Sequence, residues 1–302
     1  MVGDITNGAG VMAGMGMPPG ACDCHTHVIG PRAAYPMVED RHYTPGPASH
    51  EDLLAHLSRQ GLQRVVIVQP SVYGTDNRCM LESLDRLVGA GRGVAVVDDS
   101  IDVSAMRDMH RRGVRGLRIN MESAGLRNAD ATYAMLERWA NRVAPFGWHL
   151  QLYAALDVVA ALAERLVQLP VPVVIDHFSM VPATMPHDDP RAVALLALLR
   201  SGNAYIKLSA PYRLDIDSLV GDAASQAIAA WAGAFLRVAP ARVLWASDWP
   251  HTGRDPGKAA HEVSRYRVLP DGMLARTIAD WFPTPALRQQ VLADNPARLY
   301  GF

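Results

Sequence analysis

The stretch "CDCHTHVIGP", residues 22–31, places two histidines one position apart at the end of a β-prone run and then breaks at Gly30 and Pro31. Side chains two apart on a strand project from one face, so His25 and His27 point together. Two such imidazoles can bind a metal, polarise a carbonyl or move protons. Which of these they do depends on what the rest of the chain gathers around that strand end.

Seven further runs of the same kind follow: "RVVIVQP" (64–70), "GVAVVDD" (93–99), "GVRGLRIN" (113–120), "WHLQLYA" (148–154), "VPVVIDH" (171–177), "AYIKLSA" (204–210) and "RVLWASDWP" (242–250). Between them lie segments such as "EDLLAHLSRQ", "CMLESLDRLVGA", "TYAMLERWANRVA" and "AVALLALLRSG", whose apolar residues recur at helical spacing. Apolar strands separated by helices make a parallel sheet covered by those helices. Eight repeats in 302 residues favour a closed (β/α)8 TIM barrel over an open doubly wound sheet.

Active sites in this fold gather at the C-terminal strand ends. Those ends carry His25 and His27, Gln69 and Ser71, Asp98 and Asp99, Arg118 and Asn120, Tyr153, Asp176 and His177, Lys207 and Ser209, and Asp248 with His251. The strand starts are mostly apolar or simply basic. With both histidines facing the barrel interior, alternation sends Cys22 and Cys24 to the opposite face against the helices, which makes "CDCH" a poor thiolate metal site.

The balance of 29 basic and 30 acidic residues, a net charge of −1, gives no reason to expect nucleic acid or an anionic membrane as partner. Apolar residues make up 49% and charged residues 20%, an ordinary globular mixture. The cysteines Cys22, Cys24 and Cys79 are odd in number and form no CxxC pair, which predicts a reducing compartment and a cytoplasmic protein. Residues 1–20 lack the basic start and apolar run of a signal peptide and read as a flexible N-terminal arm before one barrel domain, residues 21–302. No window approaches a membrane span.

The HxH of the first run, "IDH" of the sixth and "SDWPH" of the eighth, in that order, resemble the amidohydrolase superfamily. There HxH closes the first barrel strand and an aspartate closes the eighth. The fragments "HVIGP", "HYTP", "VIVQPSVYGTDN", "GVAVVDD", "GLRIN", "IDH", "LSAPYRLD", "SDWPH" and "DNPARLYGF" narrow this. From about Cys22 onward they are similar to the lactonase branch of pyrone-dicarboxylate hydrolases, sugar-acid lactonases and sulfomuconolactone hydrolases. The resemblance implies hydrolysis of a small carboxylated lactone.

Lactone opening needs a base for water, donors for the developing oxyanion, and anchors for carboxylates. The resemblance implies Asp248 as the base and His25, His27 and His177 as donors. The plainer readings are a turn-capping Asp248 and a structural His177 paired with Asp176. Arg118 and Arg213 fall where this branch holds substrate carboxylates, and a guanidinium fork suits that task. Ser71, Tyr43 and Tyr153 are the hydroxyl partners, with simple packing as the competing role for the tyrosines. Lys207 shares parity with Ser209, which leaves its direction open, and it stands outside the set.

Zinc in many amidohydrolases uses HxH, histidines on strands five and six, and the last aspartate. Strand five here ends in Tyr153, and His149 sits near its start, about four residues or roughly 13 Å back. His25, His27, His177 and Asp248 can hold a zinc, but doing so leaves no open position and no free base. No cofactor is therefore expected, with zinc as the alternative. The branch pattern carries a second arginine soon after Arg118, whereas "RINMESAGLR" offers only Arg127, with Glu122 set to repel a second anion if it faces the pocket. A lactone isomerase, a sugar-acid lactonase, a metal-dependent decarboxylase and a silent barrel are the other readings. Residues 180–190 and 251–272 read as lids or long loops.

Overall fold

The computed structural model describes residues 16–121, 129–214 and 222–302. Its centre is eight strands: β1 (Cys22–Thr26), β2 (Arg64–Val68), β3 (Gly91–Ala95), β4 (Val114–Asn120), β5 (His149–Tyr153), β6 (Val173–Ile175), β7 (Ala204–Leu208) and β8 (Val243–Trp245). Each pairs in parallel with the next in chain order. The first and last meet through a bridge between Thr26 and Trp249, with the His27 N–H donating to the Trp249 carbonyl at 2.8 Å and the Asp248 N–H to the His25 carbonyl at 3.1 Å. The sheet is thus a barrel, and an open doubly wound order is ruled out.

Helices lie between the strands, among them α1 (His50–Gln60), α2 (Arg78–Leu87), α3 (Val103–Arg111), α4 (Ala129–Val143), α5 (Leu156–Leu166), α6 (Pro190–Arg200) and α7 (Ala223–Val238). The start of α1 is written in its sequence: Ser49 Oγ accepts from the Asp52 N–H at 3.1 Å, and the Asp52 carboxylate accepts from the Ser49 N–H at 2.9 Å. Gly61, at φ 65°, ends it.

Strand alternation divides the apolar residues into two cores. Val65, Ile67, Leu117, Leu150, Leu152, Ile175, Ile206 and Trp245 pack outward with the helices. Val66, Val68, Val94, Val174, Tyr205, Leu244 and Ala246 fill the barrel itself, closed below by Tyr300 and Phe302. Arg92 holds this plug: Nε donates to the Tyr300 carbonyl at 3.1 Å, and its guanidinium lies 4.6 Å from the centre of the Phe302 ring.

The cysteines depart from expectation. Cys22 and Cys24 belong to the interior cluster, not to the helix face. The reason is a bulge in β1, where Asp23 pairs with Val65 but Thr26 pairs with Ile67, so three steps of β1 oppose two of β2. Alternation reverses inside the bulge. Cys22 and Cys24 point inward below it, His25 and His27 point inward above it, and Asp23 points outward.

Outside, the fully buried Asp23 carboxylate stitches the barrel seam. It accepts from the N–H groups of His25 (3.2 Å) and Ser247 (3.0 Å) and from Ser247 Oγ (2.5 Å), and it lies 3.2 Å from His56 Nε2 on α1. Residues 251–272, read above as a lid or long loop, are tied to the loop after β1: Thr44–Pro45 pairs in parallel with Val263–Ser264, and the Tyr266 hydroxyl donates to the Gly46 carbonyl. Replacing Asp23 with Ala leaves several buried donors unpaired. The expected loss of unfolding free energy is about 3–5 kcal/mol, read by chemical denaturation; a loss within about 0.5 kcal/mol, the size of an ordinary surface substitution, rejects the seam assignment.

Candidate active site

A cavity of about 350 Å³ opens at the C-terminal rim, and its walls include His27, Tyr43, Ser71, Arg118, Tyr153, His177, Arg213 and Asp248. His42 and Thr252 complete the lining. His25 lies beneath it, fully buried. Of the residues singled out from sequence, Arg127 and Glu122 are not placed, because they lie outside the described residues.

Asp248 is the centre. Its Oδ1 stands 3.8 Å from His25 Nε2, 3.9 Å from His27 Nε2 and 3.9 Å from His177 Nε2. Its Oδ2 accepts from the Tyr212 hydroxyl at 2.7 Å and from Arg213 Nη2 at 3.1 Å. One oxygen is therefore tied down and the other faces three imidazoles. Asp248 (φ 63°), His177 (φ 50°) and Ala210 (φ 48°) all adopt left-handed backbone, unusual for residues with a Cβ. These sharp turns at the ends of β6, β7 and β8 aim the side chains across the rim.

Burial by itself would raise the Asp248 carboxyl, but Arg213 and the three histidines outweigh it and hold the group well below the usual carboxylate range. Burial, reinforced for His27 by Arg118, lowers His27 and His177 to about 4 each, and burial pushes His25 well down. At neutral pH the three rings are uncharged around a carboxylate. Their tautomers then matter. His27 Nδ1 lies 2.8 Å from the Val68 carbonyl, which can only accept, so Nδ1 carries the proton and Nε2 presents a lone pair. His177 Nδ1 lies 2.8 Å from Ser209 Oγ, a group that can donate or accept.

The two arginines divide differently from the sequence reading. Arg213 donates to Asp248 and to the Thr252 carbonyl (3.2 Å), so it arrives already partnered. Arg118 donates from Nη1 to the Gln69 carbonyl at 3.1 Å and lies 5.8 Å from the centre of the Tyr153 ring; its Nε, like that of Arg213, is buried without a hydrogen-bond partner, but unlike Arg213 it pairs with no carboxylate among the described residues. Arg118 is the better placed to take an added anion. His149 is far from this site, its ring 5.3 Å from that of Tyr300 in the plug.

Sequence reasoning missed two groups. Tyr212 was overlooked beside Arg213 in "PYR". Lys207 enters the barrel, fully buried, beside His25, Gln151 and Asp176. The available signal was its parity with Tyr205 in a strand otherwise apolar. A lysine inside a buried parallel strand needs buried partners.

The donor set also suits a divalent ion. Ligand atoms of His25, His27 and Asp248 all lie within 4.8 Å of one another, and His25 Nε2 and Asp248 Oδ1 are buried without hydrogen-bond partners among the described residues. His177 can supply a fourth ligand.

A closed parallel barrel with histidines ending β1, a histidine after β6 and an aspartate after β8 defines a hydrolase-type metal or acid–base pocket. The chain matches the amidohydrolase family over residues 22–302 and belongs to it. It is 35% identical over 290 residues to the 2-pyrone-4,6-dicarboxylate hydrolase of Comamonas testosteroni, covering 94% of this chain and 91% of the relative. It is 32% identical over 287 residues to the 4-sulfomuconolactone hydrolase of Hydrogenophaga intermedia, covering 94% and 90%. A Pseudomonas putida crystal structure provisionally named a 2-pyrone-4,6-dicarboxylic acid hydrolase superposes with a TM-score of 0.78 at 29% identity, covering 94% of this chain and 98% of that one.

The buried neutral histidines make a prediction about pH. His27 and His177 titrate at about 4 and His149 at about 3 when folded, against 6.5 in the unfolded chain. Below that unfolded value the unfolded state binds more protons, so this contribution is complete above about pH 6.5 and is lost as pH falls toward 4. The melting temperature of chelated protein should decline steadily from pH 7 to 4.5; a flat profile rejects neutral burial of these rings.

Proposed function

We propose that the protein hydrolyses a small carboxylated lactone, with Asp248 as general base. The observation that carries this reading is Asp248 Oδ1 among three neutral imidazoles, open to a cavity whose wall holds Arg118. The two named lactone hydrolases among the relatives support the same substrate class.

In this mechanism a water donates one hydrogen bond to Asp248 Oδ1 and the other to the bare His27 Nε2. Arg118 anchors the substrate carboxylate, assisted by Ser71 and by the Tyr43 and Tyr153 hydroxyls. As the water oxygen attacks the lactone carbonyl, Asp248 takes its proton. In this route the Ser209 hydroxyl is assigned as donor to His177 Nδ1, which leaves His177 Nε2–H to donate to the oxyanion. Collapse breaks the ring C–O bond, and Asp248 returns the proton to the departing ring oxygen. Tyr212 and Arg213 keep Oδ2 occupied, so Oδ1 performs both transfers.

Should a divalent ion bind, His25, His27, His177 and Asp248 would hold it, and it would supply Lewis-acid polarisation of the carbonyl. The proposed route needs none. A cytoplasmic location forms part of the same reading, supported by three free, buried cysteines.

The test is turnover of 2-pyrone-4,6-dicarboxylate, followed by its absorbance, by exhaustively chelated protein of measured metal content. Turnover without metal is expected. Turnover restored only by added zinc overturns the metal-free route, and none under either condition retires this substrate in favour of mono-acid and sugar-acid lactones. Asp248→Asn should lower kcat by about 10²–10⁴-fold, the size of a lost general base, with the fold retained by circular dichroism. Arg118→Gln should act mainly on KM, raising it by about 10-fold or more, as loss of a charge-assisted carboxylate contact requires.

A further inference from the structure

The mechanism above leaves one ionisable side chain of the cavity wall unused, that of His42. Arg118, His27, His177 and Asp248 are buried at the inner end of the cavity, whereas His42 is exposed at its mouth. The ring of His42 has no hydrogen bond or ion pair among the described residues.

The backbone that carries it is nevertheless fixed. Beside it, Arg41 donates from Nη1 to the Val38 carbonyl at 2.8 Å and from Nε to Thr44 Oγ1 at 2.7 Å. Thr44 Oγ1 in turn donates to the Ala260 carbonyl at 2.7 Å, and Thr44–Pro45 pairs with Val263–Ser264. His42 therefore sits between tied residues, and a side chain on such a support meets a ligand at little ordering cost to its backbone.

The charges on the wall point to what it meets. Arg213 is engaged by Asp248 at 3.1 Å, and burial keeps His27 and His177 neutral. Among the described lining residues, this leaves Arg118 inside and His42 outside as the two that can present positive charge to a ligand. Ser71, Tyr43, Tyr153 and Thr252 offer hydroxyls. An imidazole donates one N–H when neutral and two when protonated, so it can hold a carboxylate in either state.

We propose that His42 is a specificity-determining residue that binds a second acidic group of the lactone at the cavity mouth while Arg118 holds the first. This rests on the hydrolase reading and adds to it a residue that selects between lactones with one and with two acidic groups.

Three pyrones test the assignment with the full-length protein: 2-pyrone-4,6-dicarboxylate and its 4- and 6-monocarboxylates. In His42→Ala, the ratio of kcat/KM for the dicarboxylate to that for the better monocarboxylate should fall by about 10-fold, through KM, as loss of a charge-assisted contact requires. His42→Lys, which keeps a cation at the mouth, should restore most of the preference. An unaltered ratio in His42→Ala overturns the proposal, as does an equal loss for all three pyrones or a preference that vanishes in Arg127→Gln alone. Calorimetry reads binding apart from turnover, and the dicarboxylate Kd should weaken by about 10-fold in His42→Ala. Binding through His42 without opening of any pyrone removes the hydrolase reading and leaves the role of His42 standing. Opening of a monocarboxylate as readily as the dicarboxylate does the reverse, and no calorimetric binding of the dicarboxylate overturns both.

Discussion

The rest of the site depends on the buried carboxylate of Asp23. It binds the backbone of β1 at His25 and the backbone and hydroxyl at Ser247, just after β8, while His56 reaches it from α1. The first and last strands of a barrel are joined only by such cross-links and by edge pairing. Here the cross-link sits one residue before Asp248 and two before His25. Distances between Asp248 and the imidazoles are therefore set by how this seam closes.

Around Asp248 the electrostatics follow from asymmetry between its two oxygens. Tyr212 and Arg213 satisfy Oδ2, whereas Oδ1 meets three rings that burial keeps neutral. A carboxylate held this far below its usual range is ionised throughout the neutral range.

Much of the site was legible because strand ends in a barrel converge on one rim. Once eight strands are recognised, His25, His27, Ser71, Arg118, Tyr153, His177, Arg213 and Asp248 must come near one another, although they span most of the chain. Arg213 illustrates the limit. Sequence places it at the rim, but only the fold shows that Asp248 already engages it. Tyr212 and Lys207 were missed for a related reason, since a residue's partners across a barrel leave no mark on its neighbours in sequence.

The sequence by itself determined the strand and helix alternation, the direction of the barrel and the chemical inventory of its mouth, because these follow from local periodicity and from which residues end each strand. Tertiary structure alone decided what the β1 bulge does. Strict alternation placed Cys22 and Cys24 outside with the helices, whereas one extra residue opposite β2 turns them inward and sends Asp23 to the seam. A bulge is a property of two strands in register, not of one strand's composition. The tautomer of His27 belongs to the same class, because it is dictated by the Val68 carbonyl, contributed from another strand.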